Sequence, residues 1–269
     1  MIKANTVIIP ESSFIHESTI IECDHFEVGE CTYIGPNNKI ICKSFIAGDY
    51  LYMTEGVEIG RGGCKGPNSN VTIGNGVGIF ENTVINPSEP VNIGDNVGIG
   101  GDVMIWTHGA WLDVMQGFPA EFGPVKIGKN VWLPARSIVL PNVEIGDNTV
   151  IGIGSIVNKN IPSGSLAAGN PCKVIKENYY PKQLFSNEKL NILDGIIEGY
   201  RNLAKYKYIM VDLEFDEHII ILTHSKGNTI YDLINRTMTG NINELSEDFR
   251  DYLRRRGIKI YTGKPFKSI

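Results

Sequence analysis

Aliphatic residues recur at every sixth position through the middle of the chain: Ile127, Leu133, Val139, Ile145, Ile151 and Val157. Between them lie small and polar residues, in segments such as IGKNVW, VLPNVE and IGDNTV. A period of six fits neither a helix, near 3.6, nor an alternating strand, at 2. It predicts a short strand and a tight corner, repeated so that every sixth side chain points inward. Three such flats make one coil of about 18 residues, and successive coils lie roughly 4.8 Å apart, the spacing of paired strands. Ile127 is then expected on Ile145, Leu133 on Ile151 and Val139 on Val157. Short fixed repeats of this kind stack into solenoids.

The corners carry their own signature. Gly follows the inward residue at Gly74, Gly94, Gly100, Gly128, Gly146 and Gly152, and Asn stands three after it at Asn96, Asn130 and Asn148. Both residue types tolerate positive φ, which a tight corner can demand. The pattern extends toward the N-terminus through Ile9, Ile15 and Ile21, and in a shifted phase through Val28, Ile34, Ile40 and Ile46. Residues 61–70, RGGCKGPNSN, read as a corner loop, since their glycines lack the Lys-Ser/Thr ending of a phosphate cradle. Ile73, Ile79 and Ile85 resume the count, and a two-residue insertion leads to Ile93, Ile99 and Ile105. The phase then restarts at Ile127, sixteen residues late, so residues 107–124 are extruded as a loop. Long insertions in a compact frame are often functional.

The period ends after GNPCKVIKE, giving a solenoid over residues 1–177 and a different appendage over 178–269. In the appendage, residues 186–206 predict an amphipathic helix with Leu190, Leu193, Ile197, Tyr200 and Leu203 on one side. IMVDLEF, HIIILTH and TIYDLINRTM predict strands, and a second helix begins after Asn243. The expectation is a small α+β domain that caps the coil or supports an oligomer.

Composition narrows the function classes. A formal charge of −5 argues against a nucleic-acid binder, which usually presents a basic face. The first residues, MIKANTVIIP, do not read as a signal peptide, and no run of about 18 apolar residues predicts a membrane span. Five cysteines, odd in number and without a CxxC pair, suit buried thiols in a reducing cytoplasm.

The stretch VNIGDNV…MIWTH…VKIGKNVWL…VLPNVEIGDNTVIGIGSIVNKNIPSGSLAAGNPCKVI resembles the hexapeptide-repeat acyltransferases, in the branch of the galactoside, maltose and xenobiotic O-acetyltransferases. The resemblance spans about residues 71–177 and weakens toward the N-terminus. It implies an all-β left-handed parallel β-helix for the coil, to which the pattern change after residue 177 adds the small C-terminal α+β domain. It implies a homotrimer with active sites between subunits, acetyl-CoA as donor and no metal. The family's catalytic base is a histidine on the extruded loop, matched here by His108. The chemistry needs such a group: a sugar hydroxyl attacks a thioester only as its proton is removed, and an imidazole accepts a proton near neutrality. Direct transfer also accounts for the lack of an evident Ser or Cys nucleophile with a base partner.

Around His108 the resemblance points to Glu81 and Asn82 for orienting the base and forming the acceptor pocket; Asn82 equally reads as a corner Asn. Trp106 and Trp111 flank the histidine and could stack on a sugar face or pack the loop. For the donor, matched positions are Trp132 beside the pantetheine groove, Ala135 and Ile153 for backbone amides, and Lys159 and Lys173 for the phosphate and adenosine end. Ile153 departs from the family's small residue there, which bears on the width of the tunnel, and both lysines also read as ordinary solvated side chains. The acceptor is expected to be a sugar, nucleotide-sugar or polysaccharide, acetylated on a hydroxyl or an amine. Two alternative functions fit these residues less well. A zinc carbonic anhydrase on the same coil needs three clustered histidines, whereas His16 and His25 lie many coils from His108. A non-catalytic scaffold would have no need of the extruded loop or its histidine.

Overall fold

The computed structural model describes residues 1–267 apart from Gly63 and Lys226. It divides into two compact units, Met1–Lys182 and Gln183–Ile269. In the first, parallel strands stack coil upon coil along three flats. One flat runs through Ser44–Ala47, Asn70–Ile73, Val91–Ile93, Val125–Ile127 and Glu144–Ile145. A second runs from Phe14–Ile15 through Gly98–Ile99 and Trp132–Leu133 to Leu166–Ala168. The third includes Glu58–Ile59, Val84–Asn86, Met104–Trp106, Ile138–Val139 and Ile156–Val157. Ile127 stands against Ile145 and Val139 against Val157, both fully or nearly fully buried. This is the arrangement of a hexapeptide coil, and it fits a left-handed β-helix.

The first flat differs from the simple count. It has an inward residue at each end, Phe45 with Ala47 and then Val71 with Ile73, so Ile46 between them points outward at 37% exposure. Phe45 stacks on Phe26 with ring centroids 5.5 Å apart, filling the interior that Ile46 was expected to fill. Ile9 is likewise exposed. The corner residues divide their work. Asn96, Asn130 and Asn148 do take positive φ, at 55–56°. The glycines after the inward residues do not; they are required by close approach. A Cβ on Gly128 would lie 2.3 Å from Asp147 Oδ1, and one on Gly94 would lie 2.8 Å from the Gly128 carbonyl carbon. That Asp147 oxygen accepts from Lys129 N at 2.7 Å, so the missing Cβ leaves room for the bond that ties one corner to the next.

The second unit holds two helices, α1 (Ser186–Tyr206) and α2 (Glu244–Arg254), with an antiparallel four-stranded sheet of Asp212–Phe215, Ile219–His224, Gly227–Asp232 and Thr237–Gly240. Leu193, Ile197 and Tyr200 of α1 are buried, while Leu190 is turned outward. Asn243 caps α2, its side chain accepting from Ser246 N at 3.0 Å while the Ser246 hydroxyl accepts from Asn243 N at 2.8 Å. Among the described residues no helix is long and apolar enough to cross a membrane.

Candidate active site

Three neighbouring strands of the third flat, Glu58–Ile59, Val84–Asn86 and Met104–Trp106, are in register, with Ile59 against Ile85 and Ile85 against Ile105. After each of them the chain takes a longer path to the first flat than the repeat requires, so three lengthened corners stack at one place. The extruded segment leaves at Thr107, runs through a short 3-10 turn at Val114–Gln116 and returns as Glu121–Phe122, antiparallel to His108–Gly109. Thr107 is fully buried and ties the levels together. Its hydroxyl donates to Asn86 O at 2.8 Å and accepts from Glu89 N at 2.9 Å, while its carbonyl accepts from Gly123 N at 2.9 Å.

This frame fixes His108. The ring stacks on Phe122 at 5.7 Å and meets the Trp106 edge at 6.2 Å. Its Nδ1 lies 3.0 Å from Asn86 Oδ1 and 3.0 Å from Ser88 Oγ. The Asn86 amide is itself oriented, because Nδ2 donates to Gly62 O at 3.4 Å and Oδ1 accepts from Ser88 N at 3.3 Å. A carbonyl oxygen can only accept, so Nδ1 carries the proton and Nε2 keeps a free lone pair. The histidine lines a cavity of about 410 Å³ whose walls include Pro67, Asn68, Ser88, Glu89 and Phe122. Cys64, on the same corner loop, is buried, and burial pushes its thiol up to about 11, too high for a nucleophilic thiolate at neutral pH.

The residues singled out by sequence fall in several places. Trp106 packs beside His108, whereas Trp111 stands out on the loop at 96% exposure. Neither Glu81 nor Asn82 holds the histidine; Asn86 and Ser88 do. Glu81 and Asn82 sit at the corner before the Val84–Asn86 strand, where Asn82 takes φ 56° and donates to Asp102 Oδ1 at 3.4 Å. Ala135 and Ile153 meet at the same corner on later coils, where Gly154 N donates to Ala135 O at 3.1 Å and Ile153 is 74% exposed. Trp132 projects outward from the second flat between Gly98 and Val150. Lys173 lies exposed opposite Ala168, and Lys159 lies exposed at the corner that follows Ile156–Val157, on the His108 side of the third flat. The third flat therefore separates two groups: Trp106, His108 and Lys159 at one corner, and Glu81, Asn82, Ala135 and Ile153 at the other. Among the described residues no group of three or more His, Cys, Asp or Glu could hold a metal ion. Asn86, Ser88 and the wall formed by Asn68 and Glu89 are the parts of the site that the repeat did not announce.

Comparison with known proteins adds a lineage. Residues 124–159 match the sequence model of the bacterial transferase hexapeptide family (six repeats). A Saccharomyces cerevisiae protein named as an acetyltransferase is 45% identical over 112 residues, covering 40% of this chain and 57% of its own. The galactoside O-acetyltransferase of Escherichia coli K12 is 40% identical over 111 residues, covering 40% of this chain and 55% of its own. A solved galactoside acetyltransferase in complex with coenzyme A is 32% identical, covering 51% of this chain and 70% of that one; its TM-score of 0.35 makes it no guide to overall shape. The chain spans a little over half the length of these two curated relatives.

Proposed function

The chain belongs to the hexapeptide-repeat acyltransferase family, and from that premise we propose that it moves an acetyl group from acetyl-CoA directly to a hydroxyl, or an amine, of a carbohydrate acceptor, with His108 as general base. The observation that carries this reading is the held imidazole: Nδ1 is fixed by Asn86 and Ser88, so Nε2 is free to take a proton in the cavity. In the reaction the acceptor O–H gives its proton to Nε2 as the oxygen attacks the thioester carbonyl carbon. The C–S bond then breaks, and the departing thiolate takes the proton back from the imidazolium. Acetyl ester and free CoA thiol are the products, and His108 returns to its starting form. Its two partners keep the ring from turning, so the lone pair is presented without reorganisation.

The relative named galactoside O-acetyltransferase supports a sugar acceptor. The split between the His108 corner and the Ala135 corner supports a site shared by neighbouring copies: one subunit supplies the base and the next supplies the amides of Ala135 and Ile153, with Trp132, Lys159 and Lys173 along the donor. A homotrimer of left-handed coils satisfies that arrangement. In this reading the coil through Glu177 carries the chemistry, the α+β appendage from residue 178 serves assembly, and the five buried thiols suit a cytoplasmic enzyme. Acetyl-CoA is expected to raise the melting temperature, since a ligand that binds only the native state stabilises it. It is also expected to release thiol when oligosaccharide or nucleotide-sugar acceptors are added. A scaffold would do neither, and a chain that shows no donor binding and no thiol release overturns the proposal.

A further inference from the structure

The His108 cavity is walled on one side by a segment with no counterpart in the regular coil, the part of the 61–70 loop that ends in Pro67 and Asn68. Asn68 Nδ2 donates to Glu89 Oε2 at 3.0 Å. Glu89 is also fixed through its backbone, where its N–H donates to Thr107 Oγ1 at 2.9 Å. Glu89 is thus held from two neighbouring coils, its carboxylate by Asn68 and its backbone by Thr107, at the cavity that His108 lines, and among the described residues its Oε1 takes no hydrogen bond. The cavity lining includes this carboxylate and no Lys or Arg. The basic residues of the same loop are paired elsewhere: Arg61 with Glu58 at 2.8 Å and Lys65 with Glu22 at 3.3 Å. Lys43 bonds the Pro67 carbonyl at 3.3 Å but is not part of the lining. Pro67 and Phe122 add apolar surface to the lining.

We propose that Glu89, clamped by Asn68, is the specificity-determining residue of the acceptor pocket, and that it selects a neutral polyhydroxylated ring over a uronate or other anionic sugar. The free carboxylate oxygen accepts from acceptor hydroxyls, and charge-assisted bonds of this kind are the strong ones. The same charge repels an acceptor carboxylate, with no Lys or Arg in the lining to offset it, so rejection comes from a built-in repulsion as well as from lost contacts. The C–H face of the ring rests against Pro67 and Phe122. This inference rests on the reading of the cavity as an acceptor site, but not on turnover, so the two can fail separately.

The test is ligand-observed NMR competition on the full chain with coenzyme A present, comparing neutral methyl glycosides with the matching methyl glycuronosides. Wild type is expected to prefer the neutral member by roughly tenfold, the ordinary worth of one charge-assisted hydrogen bond. Glu89→Gln, which keeps the shape and removes the charge, is expected to collapse that preference to within about threefold by the same argument. Asn68→Ala is expected to weaken glycoside binding less than Glu89→Gln does, and it carries the test if Glu89→Gln fails to fold. Equal binding of both sugar types by wild type, binding of neither, or an unchanged preference in a folded variant overturns the proposal. Thiol release, measured separately, reports on the catalytic reading alone.

Discussion

The coil and the C-terminal unit use polar side chains in opposite ways. Along the coil one corner solution is repeated: Asn96 donates to Asn130 at 2.8 Å, and Asn130 donates to Asn148 at 2.9 Å. Against that repetition the exceptions stand out, and Asn86, Thr107 and His108 all fall at one corner. The C-terminal unit has no repeat, and its buried polar groups are anchors placed one by one. Arg250 is fully buried, bonds Glu247 at 2.6 Å and donates to the carbonyls of Ile260 at 3.0 Å and Pro265 at 2.7 Å. Tyr200 donates to Asp248 at 3.0 Å, and Tyr231 donates to Ser246 O at 2.7 Å. A buried polar residue thus has meaning only against its background. In a periodic region an unrepeated one marks a departure from the coil; in an aperiodic region it is part of the frame.

The largest expected effect tests the periodic side of that contrast. His108→Ala should lower kcat by about 10²–10⁴-fold, the range for loss of an acid–base group. Acetyl-CoA affinity by calorimetry should change little. A near-normal kcat would mean that the exception at this corner is not catalytic. On the aperiodic side, Arg250→Met should cost about 3–5 kcal/mol, because it leaves Glu247 and several carbonyls without their buried partner. The far-ultraviolet helical signal reads this directly, since the α-helices among the described residues lie in that unit. The KM for acceptor should stay put in molecules that remain folded; a shift in KM with intact helices would give Arg250 a part in the site and dissolve the contrast.

The smallest effect concerns Lys259, whose ammonium is held down to about 8 by burial, with the charge of Arg254 adding to it. In the unfolded chain a lysine titrates near 10.5, so between about pH 8 and that value the unfolded state binds the extra proton. Stability should therefore rise with pH across this window and be lowest below it. Lys259→Met should flatten the slope across this window and lift the low stability below it. Denaturant midpoints measured across the window check both, and an unchanged slope would place the lysine in solvent.

Much of the coil was legible because each inward position is filled by a residue type that the neighbouring levels repeat. Ile46 was misplaced for the complementary reason: the first flat holds two inward residues per level, and Phe45, an aromatic, fills one of them outside the aliphatic pattern. The Gly positions were found, but the cause is close approach between coils, which a single sequence does not display. His108 was legible from the break in phase and the family resemblance. Its partner Asn86 was not, although a signal was present: aligning Ile85 with Ile105 sets Asn86 against Trp106, two residues before the histidine. Taken alone, the 61–70 loop carries no signal of a site. Its place at the same phase as the other two lengthened corners is what puts Asn68 at the cavity.

Val125 stands on Val91 in the same register as Val91 on Val71, so the coil resumes after the extruded segment as though nothing had intervened. The two ends of the excursion are held by backbone bonds that do not depend on what lies between them. Each doubling of such a loop costs only about 0.6 kcal/mol in closure entropy. Length and composition between Gly109 and Glu121 can therefore drift across generations while the inward residues are inherited unchanged. A dozen or so loop positions can thus be rewritten with folding left untouched, a loop the size of those that carry function on compact scaffolds.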